Sequence, residues 1–119
     1  MGKVAVVAAI IGLVSASTAV DAEEPAKGSI DAGRAVALKI CAACHVVSPI
    51  QQFEPILRPA APGFRAIANR PRTTSTSLRT FLSTTHQTVR NPDHMPNPQL
   101  SDDQITDVVS YILILRDRR

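Results

Sequence analysis

An all-α domain is what this sequence predicts, on three observations. Apolar residues recur at helical spacing in a segment from Gly33 to Cys44, in another around Leu78 to Thr85, and in a third from Ile105 to Leu115. Residues that cap helices stand before the last two, and no stretch alternates apolar and polar side chains as a half-buried strand would. The nine prolines fall mostly between these segments, where they confine the chain to loops.

Residues 1–22 read as a secretory signal peptide. Lys3 supplies a positive start, Val4 to Val14 is almost unbroken apolar chain, and Ser15 to Ala22 is small and polar with a cleavable Val20-Asp21-Ala22 ending. A cut after Ala19 is a second option, and an uncleaved stretch from Val4 to Val20 would instead serve as a membrane anchor. Either way the rest of the chain is expected in the periplasm or another extracytoplasmic space. Residues 23–119 are 97 residues, enough for one domain and short for a large core, so some staple is expected. Without Lys3 and Asp21 that part has 12 basic against 9 acidic residues. Such mild, dispersed basicity suits docking on an acidic protein surface, and no basic run or aromatic ladder argues for nucleic acid.

Residues 23–28 read as a mobile leader, and 29–119 as the domain. Ser29 or Asp31 can cap the first helix. Along it Gly33, Val36, Ala37, Ile40, Cys41 and Cys44 share one side, which places the cysteines at its end and on its buried face. From His45 to Ala61, Pro49, Pro55 and Pro59 predict an extended loop. Pro62 to Arg70 can hold a short helix with Phe64, Ile67 and Ala68 inside, ended by Pro71. Capping residues from Thr73 to Ser77 start a middle helix whose Leu78, Phe81, Leu82 and Thr85 face the core. Residues 86–98 form a proline-stiffened loop. Ser101-Asp102-Asp103-Gln104 is a capping box with two acids at the positive end of the helix dipole, and Ile105, Val108, Val109, Ile112 and Leu115 stripe the last helix. Arg116, Arg118 and Arg119 stand at its negative end.

The two cysteines of the chain lie in Cys41-Ala42-Ala43-Cys44-His45. Two thiols at this spacing, followed at once by histidine, are the attachment pattern of a c-type haem: the thiols add across the two vinyl groups and the imidazole falls under the iron. A thioredoxin-type disulfide would need a strand-helix context that is absent from the pattern. A zinc site would need two more paired ligands, which His86 and His94, split by Pro92, match poorly. A structural disulfide would close too small a loop to remove much chain entropy. For the opposite side of the iron, Met95 is the one methionine left after the leader, on the stiff loop Asp93-His94-Met95-Pro96-Asn97. A thioether there would favour the reduced metal. His94 and His86 are rival ligands of lower potential, and each also reads simply as a solvent-facing loop histidine. Arg58, Arg65 and Arg70 are candidates to pair with haem propionates.

The order of Gly33, Cys41-x-x-Cys44-His45, Pro62-Gly63-Phe64, Met95-Pro96 and a last helix bearing Tyr111 resembles the class I c-type cytochromes, the small soluble bacterial monohaem proteins above all, over about residues 29–116. The resemblance implies the cytochrome c fold, with first and last helices crossing over one covalently bound haem c, short middle helices and long haem-wrapping loops. It implies that Cys41 and Cys44 carry the thioethers, that His45 is the proximal ligand and Met95 the distal one, and that the Pro62 carbonyl accepts the other imidazole N–H of His45. It also implies that Gly33 and Tyr111 meet at the helix crossing. Where many members carry an aromatic residue one turn after that glycine, this chain has Ala37.

A closed His/Met site implies a periplasmic single-haem electron carrier and not an enzyme, with no catalytic residues. It is expected to be a monomer that meets its redox partner proteins through an apolar patch near Cys41 and Cys44, with membrane contact only through an uncleaved leader. The alternatives are a haem subunit of a redox enzyme, such as a peroxidase or a dehydrogenase partner, for which His94 would be the acid-base group, and a haem-based gas sensor in which a diatomic ligand displaces Met95.

Overall fold

Gly28 and Ser29 fasten the start of the domain to its end. In the computed structural model, which describes Gly2 and residues 27–84 and 95–117, the Gly28 amide donates to Ser110 Oγ at 3.0 Å and the Ser29 amide to Asp107 Oδ1 at 2.7 Å. The Ser29 hydroxyl in turn accepts from the Ala32 amide and so caps α1, Ile30–Val36. Among the described residues the packed chain therefore begins at Gly28, the last residue of the expected leader. Apart from Gly2, the expected signal peptide lies outside the described residues, as do His86 and His94.

After Val36 the helix widens. Residues Ala37–Cys41 form a π-helical turn, closed by the Ala42 amide on the Ala37 carbonyl at 3.0 Å. This turn was not in the 3.6-residue pattern, and it rotates the side chains that follow it. Ala37 and Cys41 stay buried, but Ile40 is 38% exposed and Cys44 lies beyond the helix in a turn, half-buried. The expected single buried face thus holds at Gly33, Ala37 and Cys41 but fails at Ile40.

Three further helices complete the fold: α2, Phe64–Ala68; α3, Ser75–Ser83; and α4, Asp102–Ile114. The described residues contain no strand, only an isolated bridge between His45 and Ala61. α2 ends at Ala68, three residues before Pro71, with Asn69 as its C-cap, so the proline does not terminate it. In α3 the Thr74 hydroxyl accepts from the Ser77 amide and the Ser77 hydroxyl from the Thr74 amide, a reciprocal cap. Leu78 and Leu82 are buried as expected, whereas Phe81 is 46% exposed and so is not core. Thr85 lies outside the described residues.

The last helix gives the core more residues than any other element: Ile105, Val108, Val109, Tyr111 and Ile112 are all buried, against Ala37, Val47, Phe64, Ala68, Leu78 and Leu82. Its capping box is made, Ser101 Oγ accepting from the Gln104 amide at 3.3 Å and Gln104 Oε1 from the Ser101 amide at 3.0 Å. Ser101→Ala should cost about 1 kcal/mol of unfolding free energy, the typical value of a lost cap, in chemical denaturation. At the other end Arg116 is a clamp: Nε donates to the Ala68 carbonyl at 2.7 Å and Nη2 to the Thr73 carbonyl at 2.5 Å. Those carbonyls belong to the end of α2 and to the link toward α3, so one guanidinium ties three elements together.

The crossing of α1 and α4 is set by Gly33. A β-carbon there would run into the Asp107 carbonyl and come within 2.9 Å of Tyr111 Cβ. Glycine at this position lets the two backbones touch. Ala37, one turn on and fully buried, keeps the seam narrow, and the aromatic surface is supplied instead by Phe64 of α2, whose ring lies 6.4 Å from that of Tyr111.

Candidate functional site

The turn that ends the first helix places Cys41, Cys44 and His45 close together. The Cys44 and His45 amides both donate to the Cys41 carbonyl, at 3.1 and 3.0 Å, so the five-residue motif coils back over the helix end. Cys41 and His45 are each 8% exposed and Cys44 is half-buried. Both cysteines are free thiols. Burial, with Cys44 nearby as the lesser cause, pushes the Cys41 thiol up to about 11. Burial thus works against the thiolate on which a low-pKa redox cysteine depends.

The segment after the motif returns to it. Ala61 donates to the Cys44 carbonyl and Phe64 to the Val46 carbonyl, both at 2.9 Å, so residues 61–64 run alongside residues 44–46. That pairing sets the Pro62 carbonyl beside the His45 ring, and Nδ1 lies 2.8 Å from it. A carbonyl can only accept, so Nδ1 carries the hydrogen and Nε2 is left with its lone pair. The ring is further backed by Phe64, 5.7 Å between centroids at 53°. A neutral imidazole with one nitrogen engaged by a carbonyl and the other a free donor is what a metal-ligating histidine requires. Two thiols and this imidazole fit the donor set of a thioether-linked haem. Among the described residues no three His, Cys, Asp or Glu side chains gather in a cluster able to hold a bare metal ion.

Met95 is half-buried and packs against the core that contains Cys41, Phe64, Val108 and Ile112. Of the arginines considered for propionates, two are engaged with protein carboxylates: Arg58 with Glu54 at 3.3 Å and Arg65 with Asp117 at 2.5 Å. Arg70 is exposed beside Asn69, Pro71 and Arg116.

The loop from Val46 to Ala60 turns apolar side chains outward. Ile50, Phe53 and Ile56 are 67, 80 and 82% exposed, around a hollow of about 590 Å³ that Leu38, Ala42, Ala43 and Arg34 also line. Ala42 and Ala43 are the two residues between the cysteines, so this apolar surface adjoins the motif directly. Two features of the site escaped the sequence reading. Gln51 bonds to backbone groups of the motif and the loop, and the Tyr111 hydroxyl donates to the Val47 carbonyl at 2.8 Å. A polar residue in a proline-rich loop carries no periodic signal, so only the fold reveals them.

A family model described as Cytochrome c matches residues 30–116. No curated protein and no solved structure matches the chain.

Proposed function

The chain belongs to the cytochrome c family, and from that premise we propose that it is a single-haem electron carrier of the extracytoplasmic space, with His45 and Met95 as the axial ligands of the iron. The family binds haem c covalently, and Cys41 and Cys44, separated by two residues and followed by histidine, fit one haem. The bound haem supplies the ferric/ferrous couple. The observation that carries the proposal is the 2.8 Å bond from His45 Nδ1 to the Pro62 carbonyl, which leaves Nε2 free as a ligand.

In this reading each residue has a defined task. Cys41 and Cys44 hold the porphyrin by two thioethers at the end of the first helix. His45 gives Nε2 to the iron, and the Pro62 carbonyl fixes its tautomer and makes the imidazole a stronger donor. Met95 would be the second protein ligand, and its soft sulfur would favour the reduced metal and so a higher potential. Filling both positions keeps substrates from the metal, which is why a carrier is favoured over an enzyme. The buried side chains of α4 and Phe64 exclude water and lower the local dielectric, a second control on potential. The exposed Ile50, Phe53 and Ile56 beside Ala42 and Ala43 support a docking face for redox partners, where a small and short-lived contact suits a carrier that must leave again.

Mass spectrometry of the purified mature protein tests the proposal. The expected mass is that of residues 23–119 plus one haem. A mass without haem overturns it, and a mass that retains residues 1–22 with haem moves the protein to a membrane-anchored form.

A further inference from the structure

Gln51 reaches four backbone groups with one side chain. Its Oε1 accepts from the Val47 amide at 2.9 Å, and its Nε2 donates to the Phe53 carbonyl at 2.7 Å. The same Nε2 lies 3.4 Å from the Ala42 carbonyl and 3.5 Å from the His45 carbonyl, long contacts that add direction more than strength. Val47 is held from its other side as well, because its carbonyl accepts from the Tyr111 hydroxyl. The backbone at Val47, two residues past His45, is therefore fixed between α4 and the Gln51 amide.

We propose that Gln51 is a positioning residue for His45, setting the backbone from which the proximal imidazole hangs and so the orientation of the ring over the iron. The inference rests on the reading of His45 as proximal ligand. Its physical basis is the cost of the alternative. Val47 is 1% exposed, so without Gln51 its amide would be buried and unpaired, at about 1–3 kcal/mol. A small shift of residues 45–47 that lets the amide find another acceptor costs less. That shift moves His45 relative to the Pro62 carbonyl, weakens the Nδ1–H bond and makes the imidazole a poorer donor to ferric iron.

A residue that merely braced the loop would alter stability and leave the iron unchanged, so the test must read the iron. In the haem-loaded protein, Gln51→Met keeps the length of the side chain and removes its hydrogen bonds. Haem attachment should persist by mass. The haem-methyl shifts in the ferric NMR spectrum, which follow the plane of the axial imidazole, should change their spread. At a fixed reference couple the ferrous-to-ferric ratio should rise about threefold. Gln51→Glu retains the acceptor for the Val47 amide but sets a second oxygen against the Phe53 carbonyl, so it should return the methyl pattern only partway toward that of the unsubstituted protein.

Unchanged methyl shifts and potential in Gln51→Met, with haem in place, would overturn the proposal whatever happens to stability. Should that variant fail to fold, amide exchange in the unsubstituted protein decides: Val47 must be among the slow amides, and fast exchange overturns it. Absence of haem from the unsubstituted protein would instead count against the function itself.

Discussion

Met95→Ala should leave the haem covalently attached while the long-wavelength sulfur-to-iron band disappears and the midpoint potential falls by roughly 0.2 V, a quarter of the ≈0.8 V that axial ligation spans. Attachment survives because it depends on Cys41 and Cys44, which are far in sequence from the substituted loop. The potential falls because the thioether favours the ferrous state, and water or a nitrogen ligand in its place does not. Met95 is also half-buried against the core, so its truncation removes packing and should lower stability as well. Stability and potential must therefore be measured separately. The double variant Met95→Ala, His94→Ala separates water from His94 as the replacement. If His94 takes the position in the single variant, the double variant should bind added imidazole more readily than the single one. An unchanged band and potential in Met95→Ala would remove Met95 from the iron.

The parts of this molecule that were legible in its sequence are those fixed by neighbours along the chain. Ser101 and Gln104, and Thr74 with Ser77, meet across a single helical turn, so their spacing alone announces two helix starts. The stripe from Ile105 to Ile112 follows from the same local geometry. Ile40 and Phe81 show where that logic stops. Each lies in register with buried neighbours, but a stripe says nothing of where the opposing surface ends, and at Ile40 the π turn has also changed the angle per residue. The attachment motif was legible because thiol spacing must match a fixed porphyrin. The Pro62 carbonyl entered through the family resemblance, and what puts it beside His45 is the pairing of residues 44–46 with 61–64, across a loop whose composition encodes no such register. Gln51 and the Val47 to Tyr111 bond depend on that same loop closing.

Gly33→Ala should lower the stability of the haem-loaded protein by about 2 kcal/mol, and the sign follows from two opposed terms. Alanine is the better helix former by about 0.8–1 kcal/mol, which favours the variant. Against it stands overpacking of about 1–3 kcal/mol and occasionally more, and here the upper end applies. The new β-carbon strikes the Asp107 carbonyl, a backbone group inside α4 that has no rotamer by which to yield. The helices must separate, and that loosens Tyr111, whose hydroxyl holds the Val47 carbonyl next to His45. For a domain of this size the melting temperature should drop by about 8–16 °C. Two other glycines serve as controls. A β-carbon at Gly63 would stand 3.3 Å from the Val46 carbonyl, close enough to need only a few tenths of an ångström of relief, so Gly63→Ala should be nearly neutral. At Gly28 the β-carbon would come within 2.5 Å of the Thr106 carbonyl, but relief there strains the Gly28 and Ser29 bonds to α4 without parting two packed helices, so Gly28→Ala should cost less than Gly33→Ala. An order of loss in thermal unfolding other than Gly33, then Gly28, then Gly63 would show that the crossing of α1 and α4 is not what limits the stability of this fold.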